Sequence, residues 1–210
     1  MFEWVIEKEG VKPFLENIQK DLLAHTYRSK AVKQVLIPKE KKGEFRSLGI
    51  PTIRDRVVQM AVKLLIEPLW EADFENTSYG FRPKRSAKDA IKQVKQNIYD
   101  GHQFVYDADL SNYFDSIPHT KLFVLLKKRL VDQGILSLIQ QWLKAPVKLP
   151  NGKLIASTKG SPQGGVISPL LSNIYLHAFD KIVNDPRGYY ELLRFLFWQS
   201  IISLCLYINL

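Results

Sequence analysis

The chain has 210 residues, of which 46% are apolar and 24% charged, and these proportions exclude a disordered tail and allow one sizeable core or two small ones. Thirty Lys and Arg against 21 Asp and Glu give a net charge of +9, which predicts attraction to a polyanion such as RNA, DNA or an anionic membrane surface. The single cysteine, Cys205, excludes an internal disulfide and a multi-cysteine zinc site.

The N-terminal segment carries acids where a secretory signal needs basic residues and an unbroken apolar run, so we expect a cytoplasmic protein. Apolar residues then recur at helical spacing from Val11 to about Tyr27, which predicts a surface helix packed on a core. Its apolar positions are Phe14, Leu15, Ile18, Leu22 and Leu23.

Residues 31–39 and 45–50 are rich in β-formers and flank a charged turn that contains glycine, a pattern that predicts a hairpin. The basic residues at the tip of this hairpin are either an anion-binding site or a charged turn exposed to solvent. The cations concerned are Lys39, Lys41, Lys42 and Arg46.

A second helix follows Pro51, with Thr52 as its N-cap, and Pro68 predicts its end. We expect its apolar side to face the core. That side comprises Val57, Val58, Ala61, Leu64 and Leu65.

A loop at residues 79–85 leads into a third helix, which extends to about Tyr99. Ser86 and Asp89 have the spacing of a capping box at its start. The cations there add to the positive end of the helix dipole, so either a bound anion or plain solvent exposure is expected. They are Arg82, Lys84, Arg85 and Lys88.

The segment Phe104–Leu110 is short and rich in β-formers, which predicts a buried strand with Asp107 and Asp109 on one face. A carboxylate on a buried strand is costly unless a cation, a donor or water meets it. Asp109 is therefore either a cation ligand or a cap of the turn that follows.

The rest of the chain alternates helices with one hairpin and one flexible loop. Leucines after Pro118 and the run from Ile135 to Lys144 predict two helices. Asn151-Gly152 predicts a hairpin whose turn has positive φ at both central residues. A loop over residues 160–169 then enters a helix that ends near Val183.

Several motifs occur in a fixed order: Gly-Ile-Pro-Thr-Ile-Arg-Asp-Arg at 49–56, Tyr-Gly-Phe-Arg-Pro at 79–83, Asp109 with Phe114-Asp115, and Ser-Pro-Gln-Gly-Gly-Val-Ile-Ser-Pro-Leu-Leu at 161–171. This succession resembles the reverse transcriptase domain of group II intron-encoded proteins over about residues 20–185. The resemblance implies an α+β fold, that of right-hand polymerase fingers and an incomplete palm, mostly helical with short antiparallel strands and hairpins. Residues 1–100 would form the fingers-like region and 101–186 the partial palm.

The resemblance also implies RNA-directed DNA synthesis with two Mg²⁺ ions, an RNA template or intron RNA, a DNA primer and a dNTP. Asp109 would be a catalytic carboxylate that binds metal, and Leu110 would add its main-chain carbonyl, since Mg²⁺ prefers oxygen ligands. Phe114 would lie under the sugar and exclude a 2′ hydroxyl. A core aromatic is the alternative for this residue.

The remaining implied contacts involve the loop and the basic side chains. Gln163 would contact the incoming nucleotide, and its neighbour Gly164 the nucleic acid. Candidates for the triphosphate are Lys39, Arg46 and Arg54, and candidates for the template backbone are Arg82, Lys84 and Arg85.

The chain departs from the family pattern after residue 186, because it contains no Tyr-Ala-Asp-Asp motif. Residues 187–210 form an apolar tail, and we expect a frameshifted or truncated gene product, or a divergent tail that pairs beside the Asp109 strand. A membrane anchor is the third alternative, but the uncharged run of 16 residues falls short of the roughly 18–20 needed to span a bilayer, so no membrane is expected.

With one carboxylate of the metal site in place, we expect negligible polymerase activity from the isolated chain. An incomplete palm would expose apolar surface and a strand edge, which predicts self-association. The alternatives are a non-catalytic, maturase-like RNA-binding protein that assists intron folding, and a pseudogene product without stable function.

Overall fold

In a computed structural model, the chain is described at residues 10–38, 43–103, 109–110 and 112–184. Seven helices and four strands lie within these ranges. In chain order they are α1 (Val11–Leu23), β1 (Val32–Pro38), β2 (Phe45–Ile50), α2 (Ile53–Glu71), α3 (Ala87–Tyr99), α4 (Tyr113–Ser116), α5 (His119–Leu126), α6 (Gln133–Lys144), β3 (Val147–Lys148), β4 (Leu154–Ile155) and α7 (Ser168–Asn184).

The strands form one mixed sheet in the order β2-β1-β3-β4. Both predicted hairpins are confirmed, because β1 pairs antiparallel with β2, and β3 with β4. A short parallel pairing of β1 with β3 joins them, at Val32 with Val147 and Lys33 with Lys148. Long-range parallel pairing has no turn signal in the sequence, so this junction was not predicted. The α+β class is confirmed.

The core lies among helices α2, α5, α6 and α7. Side chains with at most 1% exposure come from all four helices, and the main ones are Val58, Ile66, Leu122, Leu126, Ile139, Leu143 and Leu171. These helices form the base on which the sheet and the loop before α7 are fixed.

For helix α2, the predicted end was wrong, and the predicted core-facing side was right for Val57 and Val58 only. The helix continues past Pro68 to Glu71, because the buried Trp70 holds the last turn against the core. The buried stripe contains Val58, Val62, Ile66 and Trp70, whereas Leu64 and Leu65 are exposed. The sequence carries two apolar stripes on this helix, and periodicity alone cannot tell which one meets the core.

Helix α1 ends at Leu23, four residues before the predicted end at Tyr27. The chain turns away there because the Tyr27 ring is buried, and its hydroxyl donates a hydrogen bond of 2.5 Å to Asp55 on α2. That contact requires Tyr27 to leave the helical path.

The β3–β4 turn differs from the predicted type, since φ is positive at Gly152 (85°) and not at Asn151. The Gly152 N–H donates to the Leu149 carbonyl at 2.9 Å. Pro150 has a fixed φ that suits the first central position of an ordinary β-turn with glycine at the fourth.

The capping predictions for α2 and α3 are confirmed, with Thr52 accepting from the Asp55 N–H, and Ser86 and Asp89 forming a capping box.

The predicted Asp109 strand lies mostly outside the described residues, and Asp109 and Leu110 themselves are not in a strand. In the part of the chain that the structure describes, no helix is both long enough and apolar enough to cross a bilayer.

Candidate nucleotide and nucleic-acid site

The loop at residues 160–167 is fastened on two sides. Toward the β1–β2 hairpin, the Gly49 N–H donates to the Gln163 carbonyl at 2.7 Å. Toward α4, the Ser161 N–H donates to the Phe114 carbonyl at 2.7 Å, and the Gly160 N–H donates to the Ile117 carbonyl at 2.8 Å. The loop thus brings three separate sequence motifs into one site.

Two glycines of this loop are required by backbone conformation and by space. Gly164 has a φ of +119°, and a Cβ there would lie 2.7 Å from the Gly49 carbonyl oxygen. Gly160 has a φ of +82°, and its Cβ would lie 2.8 Å from the Asp115 backbone. Glycine allows the close approach that any other residue would block.

Gln59 on α2 supports the loop from below, and sequence reasoning missed it. Its side chain is buried, and Oε1 accepts from the Val166 N–H at 2.9 Å. The one available signal was a polar residue beside the apolar positions of α2, where a buried amide must find a partner.

His119, at the start of α5, is a second support that sequence reasoning missed. The ring is buried, and Nε2 donates to the Gly160 carbonyl at 2.7 Å. This bond links helix α5 to the beginning of the loop.

Gln163 and Asp115 face each other across the site. The Gln163 side-chain amide donates to the Asp115 carboxylate at 3.4 Å. Although Asp115 is exposed as a residue, partial desolvation raises the pKa of its carboxyl. The predicted nucleotide contact Gln163 is half-buried, and Gly164 is exposed beside it.

Asp109 is exposed and Leu110 is half-buried, and they lie three and two residues before Asn112, the N-cap of α4. No described residue forms a hydrogen bond or ion pair with the Asp109 carboxylate. A carboxylate next to a main-chain carbonyl is an oxygen donor set that suits Mg²⁺. Within the described ranges, no three His, Cys, Asp or Glu side chains come together as a metal site.

Phe114 packs edge-on against two aromatic rings. Its centroid lies 6.2 Å from that of Phe81 and 6.0 Å from that of Tyr113. Because Phe81 is 70% exposed, this cluster lies at the surface, and Phe114 itself is only half-buried. The ring is therefore held in place by neighbours while part of it stays accessible.

The predicted triphosphate cations differ in their surroundings. Arg54 forms an ion pair with Asp21 on α1 and donates to the Asn17 side chain at 3.2 Å. Arg46 is exposed on β2. The prediction for Lys39 lies outside the described residues.

Arg82 is a buried structural arginine in the loop between α2 and α3. Its side chain is 3% exposed and forms an ion pair of 2.7 Å with Glu71. Its guanidinium also donates to the carbonyls of Glu75 and Ser78, at 2.6 and 2.9 Å, and lies over the Phe74 ring. In this arrangement it has no free surface for a template backbone.

Lys84 and Arg85 are the more accessible cations of that loop. Lys84 is exposed, while Arg85 is half-buried and donates to the Asn76 carbonyl at 2.6 Å. The Arg85 guanidinium also lies 5.5 Å from the centre of the Tyr79 ring.

A buried polar network connects α2 with α6. Asp55 accepts from the Tyr27 hydroxyl at 2.5 Å and from the Thr52 hydroxyl at 2.5 Å, and the Trp142 indole donates to Tyr27 at 3.0 Å. Burial, together with the bond to Asp55, raises the pKa of Tyr27. This network fixes the N-terminus of α2, close to the loop that Gln59 supports.

Helix α7 carries two unusual titratable groups near its C-terminal end. Burial lowers the pKa of His177, and neither ring nitrogen has a hydrogen-bond partner among the described residues. Burial, followed by the charge of Glu75, raises the pKa of Asp180 to about 6, against the opposing effect of Arg82.

We expect Asp180→Asn to stabilise the protein more at pH 8 than at pH 5. Because the pKa of Asp180 is raised in the folded state, the carboxyl contributes to the stability of the fold below its unfolded pKa. This contribution is lost as pH rises through about 6, where the carboxyl ionises in the folded protein. The extra gain in unfolding free energy at pH 8 should be about 1–2 kcal/mol, measured by urea denaturation at both pH values. Asp100→Asn, at the exposed end of α3, is the control, and an equal gain from Asp180→Asn at both pH values would contradict the assignment.

A sequence model of the family described as reverse transcriptase (RNA-dependent DNA polymerase) matches residues 37–203. Protein YkfC of Escherichia coli K12 is 41% identical over 175 residues, which are 81% of this chain and 45% of YkfC. The group II intron-encoded protein LtrA of Lactococcus lactis subsp. cremoris is 38% identical over 176 residues, which are 84% of this chain and 28% of LtrA. The chain thus spans less than half the length of these relatives.

Two solved structures share the architecture. A partial Cas6-RT-Cas1–Cas2 complex matches with a TM-score of 0.53 and 26% identity, over 84% of this chain and 31% of that one. Telomerase from Candida albicans matches with a TM-score of 0.55 over 91% of this chain and 38% of that one. At 14% identity, the second match concerns the fold alone.

Proposed function

Because this chain belongs to the reverse transcriptase family of RNA-dependent DNA polymerases, we propose that it forms the nucleotide- and template-binding part of a group II intron-encoded reverse transcriptase. The observation that carries this proposal is the fastening of the 160–167 loop to both Gly49 and Phe114. These bonds join the Gln163 loop to the β1–β2 hairpin on one side and to helix α4, which follows Asp109, on the other. Residues 1–100 would act as fingers and 101–186 as part of the palm.

Asp109 and the Leu110 carbonyl are the proposed Mg²⁺ ligands. Mg²⁺ bound there would polarise the primer hydroxyl and stabilise charge on the triphosphate. The exposed Asp109 carboxylate, with no partner among the described residues, is available for this role.

The nucleotide would lie between Phe114 and Gln163. The ring of Phe114, held by Phe81, would meet the sugar, and Gln163 would donate to the nucleotide from its place near Asp115. Arg46, with Lys39, would approach the triphosphate from the hairpin, whereas Arg54 would first have to leave Asp21.

A titration with a fluorescent dATP analogue and its ribose counterpart, in the presence of Mg²⁺, tests this arrangement. We expect tighter binding of the deoxynucleotide, and a loss of that preference by roughly tenfold in Phe114→Ala, since about 1–2 kcal/mol is typical for one side-chain contact. Gln163→Ala should weaken both nucleotides equally.

Phe45→Ala is the matched control, because it removes another exposed aromatic ring from the β1–β2 hairpin. Absence of any Mg²⁺-dependent nucleotide binding by the unsubstituted chain would overturn the proposal. So would an unchanged preference in Phe114→Ala.

A second candidate function is RNA binding without catalysis, as in a maturase. The observation that favours it is the accessibility of Lys84 and Arg85 on a chain of net charge +9. Such contacts to phosphates add affinity without sequence specificity.

Reversal of both charges, Lys84→Glu with Arg85→Glu, should weaken RNA binding at least tenfold. It should also lower the slope of log affinity against log salt by about 1.4, since each phosphate contact to a single strand contributes about 0.7. Filter binding to a group II intron transcript at several salt concentrations measures both. The pair Lys12→Glu and Lys20→Glu on α1 is the control, and equal effects of the two pairs would indicate net charge alone.

A further inference from the structure

We propose that a groove between helices α5 and α6 binds a short segment of single-stranded nucleic acid. The groove has a volume of about 440 Å³ and lies apart from the proposed nucleotide contacts Phe114 and Gln163. The proposed binding rests on the residues of these two helices, and it is a function separate from the proposed polymerase function.

The charge of the groove favours a polyanion. Lys127 and Lys144 line it, and no Asp or Glu is among its lining residues. Both lysines are exposed, and neither forms an ion pair with any described residue. A phosphate in the groove could therefore bind two cations without competition from a carboxylate among the lining residues.

The positions of the two lysines favour a strand over a single phosphate group. Lys127 directly follows α5, and Lys144 is the last residue of α6. A connection this short favours an antiparallel pair of helices, and on that basis we place the two lysines at opposite ends of the groove. The eight residues of α5 span about 12 Å, which is more than one phosphate can bridge.

The middle of the groove suits an unstacked base. Phe123 offers a half-buried aromatic ring, and Ser137 and Gln140 supply polar groups beside it. Single-stranded nucleic acids bind proteins through this combination of basic side chains for the backbone and aromatic rings for the bases. The volume also falls within the range of pockets for ligands of this size.

His119 links the groove to the proposed nucleotide site. His119 lies at the Lys144 end of the groove and donates to the Gly160 carbonyl at 2.7 Å. A strand in the groove would therefore contact the helix that holds the beginning of the 160–167 loop.

Fluorescence anisotropy with labelled oligouridylate and oligothymidylate of about ten nucleotides, a length within the usual site size, tests the proposal on the full chain. The double variant Lys127→Gln/Lys144→Gln should bind roughly tenfold more weakly, with a salt slope lower by about 1.4. The control Lys20→Gln/Lys128→Gln removes the same charge from exposed positions outside the groove and should keep most of the affinity. The tighter of the two probes identifies the strand as RNA or DNA.

A second variant tests the groove without changing charge. Gln140→Trp fills it from an exposed position and should reduce affinity to a similar degree while thermal unfolding stays unchanged. Equal affinities of the two lysine double variants for both probes would overturn the proposal, as would full affinity in Gln140→Trp. None of these variants touches Asp109, Phe114 or Gln163, so the nucleotide titration judges the polymerase proposal separately.

Discussion

Arg82→Met should lower the free energy of unfolding by about 2–4 kcal/mol, because it removes the buried cation of an ion pair whose carboxylate, Glu71, is partly exposed. The substitution leaves Glu71 without this cation and removes the Arg82 hydrogen bonds to the carbonyls of Glu75 and Ser78, which keep only longer bonds from the Ser78 N–H at 3.1 Å and from Arg85 at 3.4 Å. For a chain of this size, the melting temperature should fall by roughly 4–16 °C. Urea and thermal denaturation followed by circular dichroism measure the loss.

Arg85→Met is the matched control, because it removes the same charge from the same loop at a half-exposed position. We expect it to cost under about 1 kcal/mol, as most surface substitutions do. If Arg82→Met instead kept full stability and lost affinity for RNA, Arg82 would be the template contact that the sequence predicts, and its ion pair with Glu71 would contribute little to stability.

Arg82 and Arg85 show why part of the site could not be predicted from the sequence. Both are arginines in one short loop ahead of a capped helix, and every local signal treats them alike. Their difference comes from Glu71, at the end of α2, which pairs with Arg82 alone. Which of two neighbouring cations becomes buried depends on how the loop packs on that helix.

Elements with local chemical signals were predicted well. Thr52, the Ser86–Asp89 box and the β1–β2 hairpin depend on residues within a few positions of each other, and all three are confirmed. The buried face of α2 was predicted only in part, because it depends on what packs against the helix. Local sequence signals predict where helices and hairpins form, whereas contacts between distant residues determine which face of each element is buried.

The loop at residues 160–167 has some features that its own sequence predicts and others that depend on distant residues. Its glycines are visible in the sequence, and the structure gives two of them a backbone role. Its supports, Gln59 and His119, are far away in the chain, and a single polar residue on a mostly apolar helix is a weak signal. Only the hydrogen bonds to Val166 and Gly160 reveal what these two residues do.

We expect the 210-residue chain to extend a DNA primer on an RNA template at a rate at least about a thousandfold below that of a polymerase with both metal-binding motifs. Two-metal catalysis depends on carboxylates that hold both ions, and removing one strong electrostatic contribution already costs about 10²–10³ in rate. The sequence supplies Asp109 and no Tyr-Ala-Asp-Asp motif. A primer-extension assay with Mg²⁺ and all four dNTPs measures the rate, with a reverse transcriptase that carries both motifs as the positive control.

Asp109→Ala is the decisive comparison in that assay. If the isolated chain has no complete metal site, the variant and the unsubstituted chain should give the same background. Extension by the unsubstituted chain that disappears in Asp109→Ala would mean that other carboxylates complete the site. The nucleotide titration separates the two roles of the chain, because binding through Phe114 and Gln163 does not need the second metal ligand, whereas bond formation does. Nucleotide affinity without extension is therefore the expected combination for this chain.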